Sequence, residues 1–309
     1  MDPIYIITPY FNFVNYKSTR NNIDTFIQNF SRHKNVELIL VEGYYGDISK
    51  SLPDYSGKIY KHIKLPCKDI IWVKENIINV AFKHLPENWK YAGWFDRDIA
   101  MCNPNWADQA KIALQYYDLI QPWRECIFLN EKYEHDHVNF GEWQIRNPFK
   151  VSSFCEVQVE KEKTGSLNDK KFAHPGQAWC ISRNFYEKTG GLYDHCILGS
   201  GDGIMMYAYL QMQDHEMIQR LKTTAIPYME KVKGCKLGYI DGLILHLYHG
   251  KLSNRKYLAK HNYYNMYNFD PLIHLTYDEN GVLCLTPEGK DFEQYIKTYL
   301  LSRAEDENI

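Results

Sequence analysis

An α/β fold built on a mostly parallel central sheet is what this chain predicts, and three observations predict it. Short apolar runs alternate with helical patterns over residues 1–100, the signature of a sheet covered on both faces. The runs at Ile4–Ile7, Val36–Val41 and Tyr91–Phe95 are continuous, as buried strands are. Each run then ends in polar residues: Thr8 to Asn15, Glu42-Gly43, and Asp96 to Asp98. In such sheets ligands sit beyond the carboxyl ends of the strands, so these three ends are expected to meet in one crevice.

Taken in order, Ile4 to Ile7 is a buried strand feeding the loop Thr8-Pro9-Tyr10-Phe11-Asn12. Ser18 to Arg32 carries Ile23, Phe26, Ile27 and Phe30 on one helical face. Val36–Val41 and Ile59–Leu65 are the second and third strands. Asp69 to Leu85 is a helix with Ile70, Val73, Ile77, Val80 and Ala81 on one side, ended by Pro86, and Tyr91 to Phe95 is the next strand. Asn105–Tyr117 is a helix and Asp118–Pro122 a strand. Between 130 and 171 periodicity is lost, which predicts a loop-rich insertion over the sheet. Ala178–Ile181 restores a strand, Asn184–Thr189 a short helix stopped by Gly190-Gly191, and Asp202–Gln213 a longer helix. Ile240–Tyr248 is the last strand, and Glu288–Ala304 an amphipathic closing helix.

Composition narrows the function. With 309 residues the chain can bury one large core or two modest ones. The formal net charge of -2, without a long basic block, argues against a nucleic-acid partner. Eight widely spaced cysteines with no C-x-x-C pair argue against a zinc site and give no disulfide-framework pattern. The N-terminus lacks a basic segment followed by an apolar one, and no run nears the ~18 apolar residues of a membrane span. A soluble, cytoplasmic protein with no integral membrane segment is expected. The 25 Tyr, 7 Trp and 14 Phe offer faces for bases or sugar rings, beside their ordinary use as core.

Three segments carry chemistry. In Asp96-Arg97-Asp98 an apolar strand delivers two carboxylates one residue apart. Such a pair suits a hard divalent cation (Mn2+ or Mg2+) that bridges to a substrate diphosphate. The competing reading is a solvated acidic turn with Arg97 paired to a neighbour. In Leu198-Gly199-Ser200-Gly201-Asp202-Gly203, glycines permit a tight turn close to a ligand. Asp202 stands where that turn enters a helix, placed either as general base or as helix cap. In His246-Leu247-Tyr248-His249-Gly250, a neutral imidazole would complete a carboxylate-held metal site. Strand alternation predicts that the two rings lie on opposite faces and that one serves.

Together these segments resemble GT-A-type nucleotide-sugar-dependent glycosyltransferases, over the chain to about Asp270. The likeness extends to galactosyl-/N-acetylgalactosaminyltransferase-like and family 2-like enzymes. It implies a Rossmann-like central sheet with helices on both faces, a loop-rich insertion and a C-terminal helical tail. Residues 1–270 would form one domain, with 1–100 the nucleotide-binding half and 101–270 the acceptor and catalytic half; 271–309 would be a C-terminal extension. The resemblance implies a metal held directly by Asp98, supported by Asp96 and completed by His246 or His249. Donor contacts would come from Thr8, Tyr10, Phe11, Asn15, Arg20, Glu42, Lys74, Asn76, Asp96, Arg97 and Trp179. Lys251, Asn254 and Arg255 would close over the diphosphate. Trp123, Trp143 and Trp179 would be sugar-stacking candidates.

The implied reaction moves a sugar from a nucleotide sugar, a UDP-sugar in the resembled families, to a carbohydrate or glycoconjugate acceptor. Inversion with Asp202 as base is preferred, because no covalent nucleophile stands out. The acid loop departs from the fuller Gly-Gly-Glu-Asp form. Two rivals remain. A nucleotidyltransferase would want a Gly-rich first loop, which Thr8–Asn15 lacks. A carbohydrate-binding protein on the same fold would not need the acids and histidines.

Overall fold

The computed structural model describes residues 2–48, 51–55, 57–134, 150–164, 173–256, 260, 263–264 and 267–306. Its first half runs β1 (Ile4–Phe11), α1 (Lys17–Phe30), β2 (Val36–Tyr44), β3 (Lys61–Pro66), α2 (Lys74–Phe82), β4 (Tyr91–Phe95), β5 (Ile99–Met101) and α3 (Trp106–Ala113). β6 (Leu119–Gln121), β7 (Glu125–Phe128), β8 (Lys150–Ser153), α4 (Phe154–Thr164), β9 (Ala173–His174), β10 (Ala178–Ser182) and α5 (Arg183–Thr189) follow. Then come α6 (Gly201–Tyr209), α7 (Glu216–Arg220), α8 (Lys222–Val232), β11 (Leu237–Tyr239) and β12 (Leu243–His246). The chain closes with α9 (Pro271–His274), β13 (Leu275–Tyr277), β14 (Leu283–Leu285) and α10 (Asp291–Ser302).

The central sheet has seven strands in the order β11-β6-β10-β4-β1-β2-β3. β4, β1, β2 and β3 are mutually parallel, so the ends of β1, β2 and β4 lie side by side as the sequence predicts. β10 runs antiparallel between β4 and β6. Alternate residues feed two cores. Ile7, Val41, Ile77, Trp94 and Met205 pack on one face; Ile6, Phe26, Phe30, Phe95 and Trp106 pack on the other. A second sheet, β5-β12-β7-β8-β9, stands beside the β4 end and carries β12. Among the described residues no helix is long and apolar enough to cross a membrane.

Several boundaries differ from the sequence reading, each for a local reason. β1 continues through Thr8, Pro9 and Tyr10, which the sequence reading gave to a loop. Pro9 lies past the last β1–β4 pair, Ile7 with Trp94, where the strand has lost one neighbour and a residue without N–H is accommodated. α2 starts at Lys74 instead of Asp69 because the intervening groups are bound elsewhere. The Ile70 amide donates to Glu293 (2.8 Å), the Trp72 amide to the Ile197 carbonyl (3.0 Å), and Asp69 accepts from the Leu285 amide (2.8 Å). The expected insertion contains β8 and α4, while residues 135–149 and 165–172, with Trp143, lie outside the described residues.

One expectation is corrected outright. β12 ends at His246 and the chain turns, with the Leu247 amide donating to the Asp98 carbonyl (2.7 Å) and Gly250 at φ +87°. Strand alternation therefore does not reach His249, and both imidazoles approach the same carboxylate.

The segment from residue 271 onward packs into the main core through Leu275, Leu283, Phe292, Ile296 and Leu300. It also returns to the first helix. Asp306 accepts from the amides of Lys17 (2.8 Å) and Ser18 (2.9 Å), giving the N-terminus of α1 the cap its own sequence lacks.

Candidate metal centre and its cleft

At the β4 end the chain makes a sharp division between its two acids. Asp98 is buried, with His249 Nε2 2.8 Å from Oδ2 and His246 Nε2 4.0 Å from Oδ1. One ligand atom from each of these three residues lies within 4.8 Å of the others. Burial pushes the Asp98 carboxyl up, but His249 and His246 outweigh it and hold it well below the usual carboxylate range. Burial drives His246 well below its ordinary value, so it is a neutral donor, stacked on Phe128 at 4.4 Å. Carboxylate oxygen with two imidazoles is a donor set for a divalent transition metal, Mn2+, Fe2+ and Zn2+ among them.

His249 supplies a test of that fit. Its Nε2 is 2.8 Å from Asp98 Oδ2 and 2.6 Å from Arg255 Nη2. Arginine only donates and a carboxylate only accepts, so this nitrogen cannot answer both. A cation shared by Asp98 and Nε2 resolves the conflict, because both would present lone pairs to it and Arg255 would turn elsewhere.

Asp96 stands outside that group of three. Its Oδ1 is 2.5 Å from the Lys74 ammonium, and its Oδ2 accepts from the Gln177 amide (3.3 Å). The Asp96 amide donates in turn to the Gln177 carbonyl (2.7 Å), tying β4 to the segment before β10. Burial raises the Asp96 carboxyl, against the opposing pull of Lys74. Burial also works against the Lys74 charge, yet Asp96, Asp202 and Glu75 around it raise it overall.

Asp202 lies in the first turn of α6, after Gly199 (φ +79°) and Ser200 (φ +70°). Its Oδ2 comes within 2.7 Å of where a Cβ on Gly176 would stand, and His174 Cε1 within 2.9 Å of the same point. A Cβ on Gly176 would crowd Asp202 and His174, and one on Gly201 would meet the Glu75 carboxyl carbon at 2.5 Å. Burial pushes Glu75 up to about 8, with Asp202 adding to the rise and Lys74 opposing it. Burial lowers His174 to about 4.

The remaining expected contacts divide. Arg97 turns to Thr19 (3.3 Å) on α1. Thr8 is wholly buried, Phe11 packs edge-on to Trp72, and Tyr10 receives a hydrogen bond from Asn12. Asn15 is exposed at φ +61°, and Arg20 faces Asp24 at 3.9 Å. Glu42 turns inward, accepting from the Leu52 amide (2.7 Å) and facing His62 (2.9 Å). Asn76 bonds Asp194, Gly281 and Leu283. Trp179 and Trp123 are core residues: Trp179 stacks with Trp94 and donates to the Pro175 carbonyl, and Trp123 donates to the Ala178 carbonyl. Neither tryptophan leaves a face for a sugar. Lys251 is exposed.

Sequence reasoning missed Glu75, His174 and Glu305. Glu305 is buried, with Oε1 2.5 Å from Arg303 and 3.5 Å from His249 Nδ1, and Oε2 accepting from Thr19 (2.9 Å). No linear signal marks these three, because each becomes special only through a partner far along the chain. A separate cavity of ≈ 610 Å3 lies on the far side of α2, lined by Asn79, Lys83, Asp194, His195, Tyr228 and Tyr277 among others.

No protein-family model matches the chain, and no curated protein matches it. Among solved structures, the chain is similar to residues 1–349 of TarS from S. aureus in complex with UDP-GlcNAc, at 8% identity and a TM-score of 0.46. That match covers 81% of this chain and 60% of the other, so the chain spans about three fifths of that structure's length. It is also similar to the mannosyltransferase PcManGT from Pyrobaculum calidifontis in complex with GDP-Man and Mn2+, at 13% identity and a TM-score of 0.46, covering 97% and 70%. A third is the 4-diphosphocytidyl-2C-methyl-D-erythritol synthase of Anaerococcus prevotii, at 10% identity and a TM-score of 0.36, covering 78% and 87%.

Proposed function

We propose that this chain is a metal-dependent glycosyltransferase that moves a sugar from a nucleoside-diphosphate sugar, a UDP-sugar, to a hydroxyl of a carbohydrate or glycoconjugate. The observation that carries the reading is the buried Asp98–His246–His249 group at the carboxyl edge of a parallel sheet, beside the Lys74–Asp96 pair. A divalent cation held there would offset the charge that builds on a departing diphosphate. Asp98 and the two imidazoles would hold it. Lys74 would keep Asp96 oriented beside the donor, and Arg255, once drawn off His249, would reach the diphosphate as a bidentate donor.

Asp202 then takes the role of general base. It lies next to Lys74 and His174 and would accept the proton of the attacking hydroxyl as the anomeric carbon inverts. Its backbone place in the first turn of α6 also fits a cap, but its side chain reaches only the adjacent Gly203 amide (2.9 Å) among the hydrogen bonds described. The reading is tested by incubating the protein with UDP-, GDP- and CMP-sugars, with Mn2+ or with EDTA, and following nucleotide release. UDP release that requires Mn2+ and disappears in Asp98→Ala supports it. Metal-dependent turnover that persists in Asp98→Ala overturns it.

A further inference from the structure

The last described residues of the chain enter the cleft from behind the metal group. α10 ends at Ser302, and Arg303 to Asp306 cross back to α1, where Asp306 binds the Lys17 and Ser18 amides. The crossing is close: a Cβ on Gly250 would stand 2.8 Å from the Cα of Glu305. The turn that presents His249 and the tail that presents Glu305 are therefore packed backbone to backbone.

We propose that Glu305 is the positioning carboxylate of a Glu305–His249–metal relay, holding His249 so that Nε2 faces the ion; the inference rests on the metal reading above. The two ring nitrogens face different carboxylates: Nε2 faces Asp98 (2.8 Å) and Nδ1 faces Glu305 Oε1 (3.5 Å), with Arg255 Nη2 2.6 Å from Nε2 and 3.4 Å from Nδ1. A histidine that binds metal through Nε2 carries its proton on Nδ1, and a carboxylate behind that proton fixes both the tautomer and the ring plane. Glu305 is itself held from two directions. Arg303 pairs with Oε1 at 2.5 Å while lying over the Trp72 ring, and Thr19 donates to Oε2 at 2.9 Å. Arg97 donates to the same Thr19 (3.3 Å), so the middle residue of the acid triplet braces the relay from the other side.

A purely structural Glu305, one that only pins the tail, makes a different prediction, and a neighbour separates the two. Asp306 anchors the same segment without approaching the metal group. Titration calorimetry with MnCl2 alone is run on wild type, Asp98→Ala, Glu305→Gln and Asp306→Asn, with the melting temperature of each taken in EDTA. The expected result is about 10- to 100-fold weaker Mn2+ binding in Glu305→Gln. Asp306→Asn melts lower but binds Mn2+ as wild type does, and Asp98→Ala does not bind it. Wild-type affinity in Glu305→Gln, or equal weakening in Glu305→Gln and Asp306→Asn, overturns the relay while Asp98→Ala still upholds the metal site. Equal binding by wild type and Asp98→Ala overturns the metal reading and the relay with it.

Discussion

The two sides of the cleft are built from one triplet yet run on opposite electrostatics. On the Asp98 side a carboxylate faces two imidazoles, and its proton is held off well below the usual range. On the Asp96 side the carboxylate faces an ammonium, with Glu75 and Asp202 crowding the same lysine, and burial raises Asp96 and Glu75. Asp98 faces nitrogen donors that could share a cation with it, whereas Asp96 already has an ammonium beside it. The difference teaches that the two acids of a D-x-D triplet need not share partners: here Asp98 faces two imidazoles, and Asp96 faces Lys74.

The largest expected effect comes from breaking the Asp98 side. Asp98→Ala should abolish Mn2+ binding and cut kcat/KM by about 10^3-fold, the several kcal/mol a metal supplies to a departing phosphate. Next is Asp202→Asn, expected to lower turnover by about 10^2- to 10^4-fold with Mn2+ affinity unchanged in calorimetry. Loss of Mn2+ affinity in that variant would merge the two sides and break the comparison. Third is Lys74→Met, which leaves the half-buried Asp96 without its counter-charge. It should cost about 3 kcal/mol in urea unfolding, and the Mn2+ dissociation constant should hold if the sides are separate.

The parallel half of the fold was legible because its signals are local. Ile4–Ile7, Val36–Val41 and Tyr91–Phe95 are continuous apolar runs, and each became a strand of the central sheet. The acid triplet was legible for the same reason, since a strand end followed by carboxylates is a contiguous pattern. What stayed hidden depends on distance. Neither strand alternation nor spacing could bring His249 back to Asp98, because that follows from a turn after His246 and the Leu247–Asp98 backbone bond. The tail was read as an extension, and Glu305 sits in an acidic run that looks like a solvated terminus; only the packing of α10 returns it to Thr19 and His249. α8 went unread because Pro227 breaks its pattern from within. Trp179 stood as a sugar-stacking candidate with core packing as the alternative, and the pairing of β10 with β4 makes it core.

The smallest expected effect is a pH slope on the Asp96 side. Glu75 is raised to about 8 from an ordinary 4.5, chiefly by burial, so the native state keeps its proton where the unfolded chain has released it. The native state therefore binds more protons between these limits, and stability falls as pH rises through the window. Below about pH 4.5 both states are protonated and this contribution is complete; above about pH 8 it is gone. One proton corresponds to a slope of about 1.4 kcal/mol per pH unit. Glu75→Gln keeps the shape that Gly201 packs against and removes the titration, so its urea midpoint between pH 5.5 and 7.5 should fall less steeply than that of wild type. Parallel slopes would mean that Glu75 is ionised in the folded protein. Lys74 would then face an ionised Glu75 as well as Asp96, and the division of labour between Asp96 and Asp98 would need another cause.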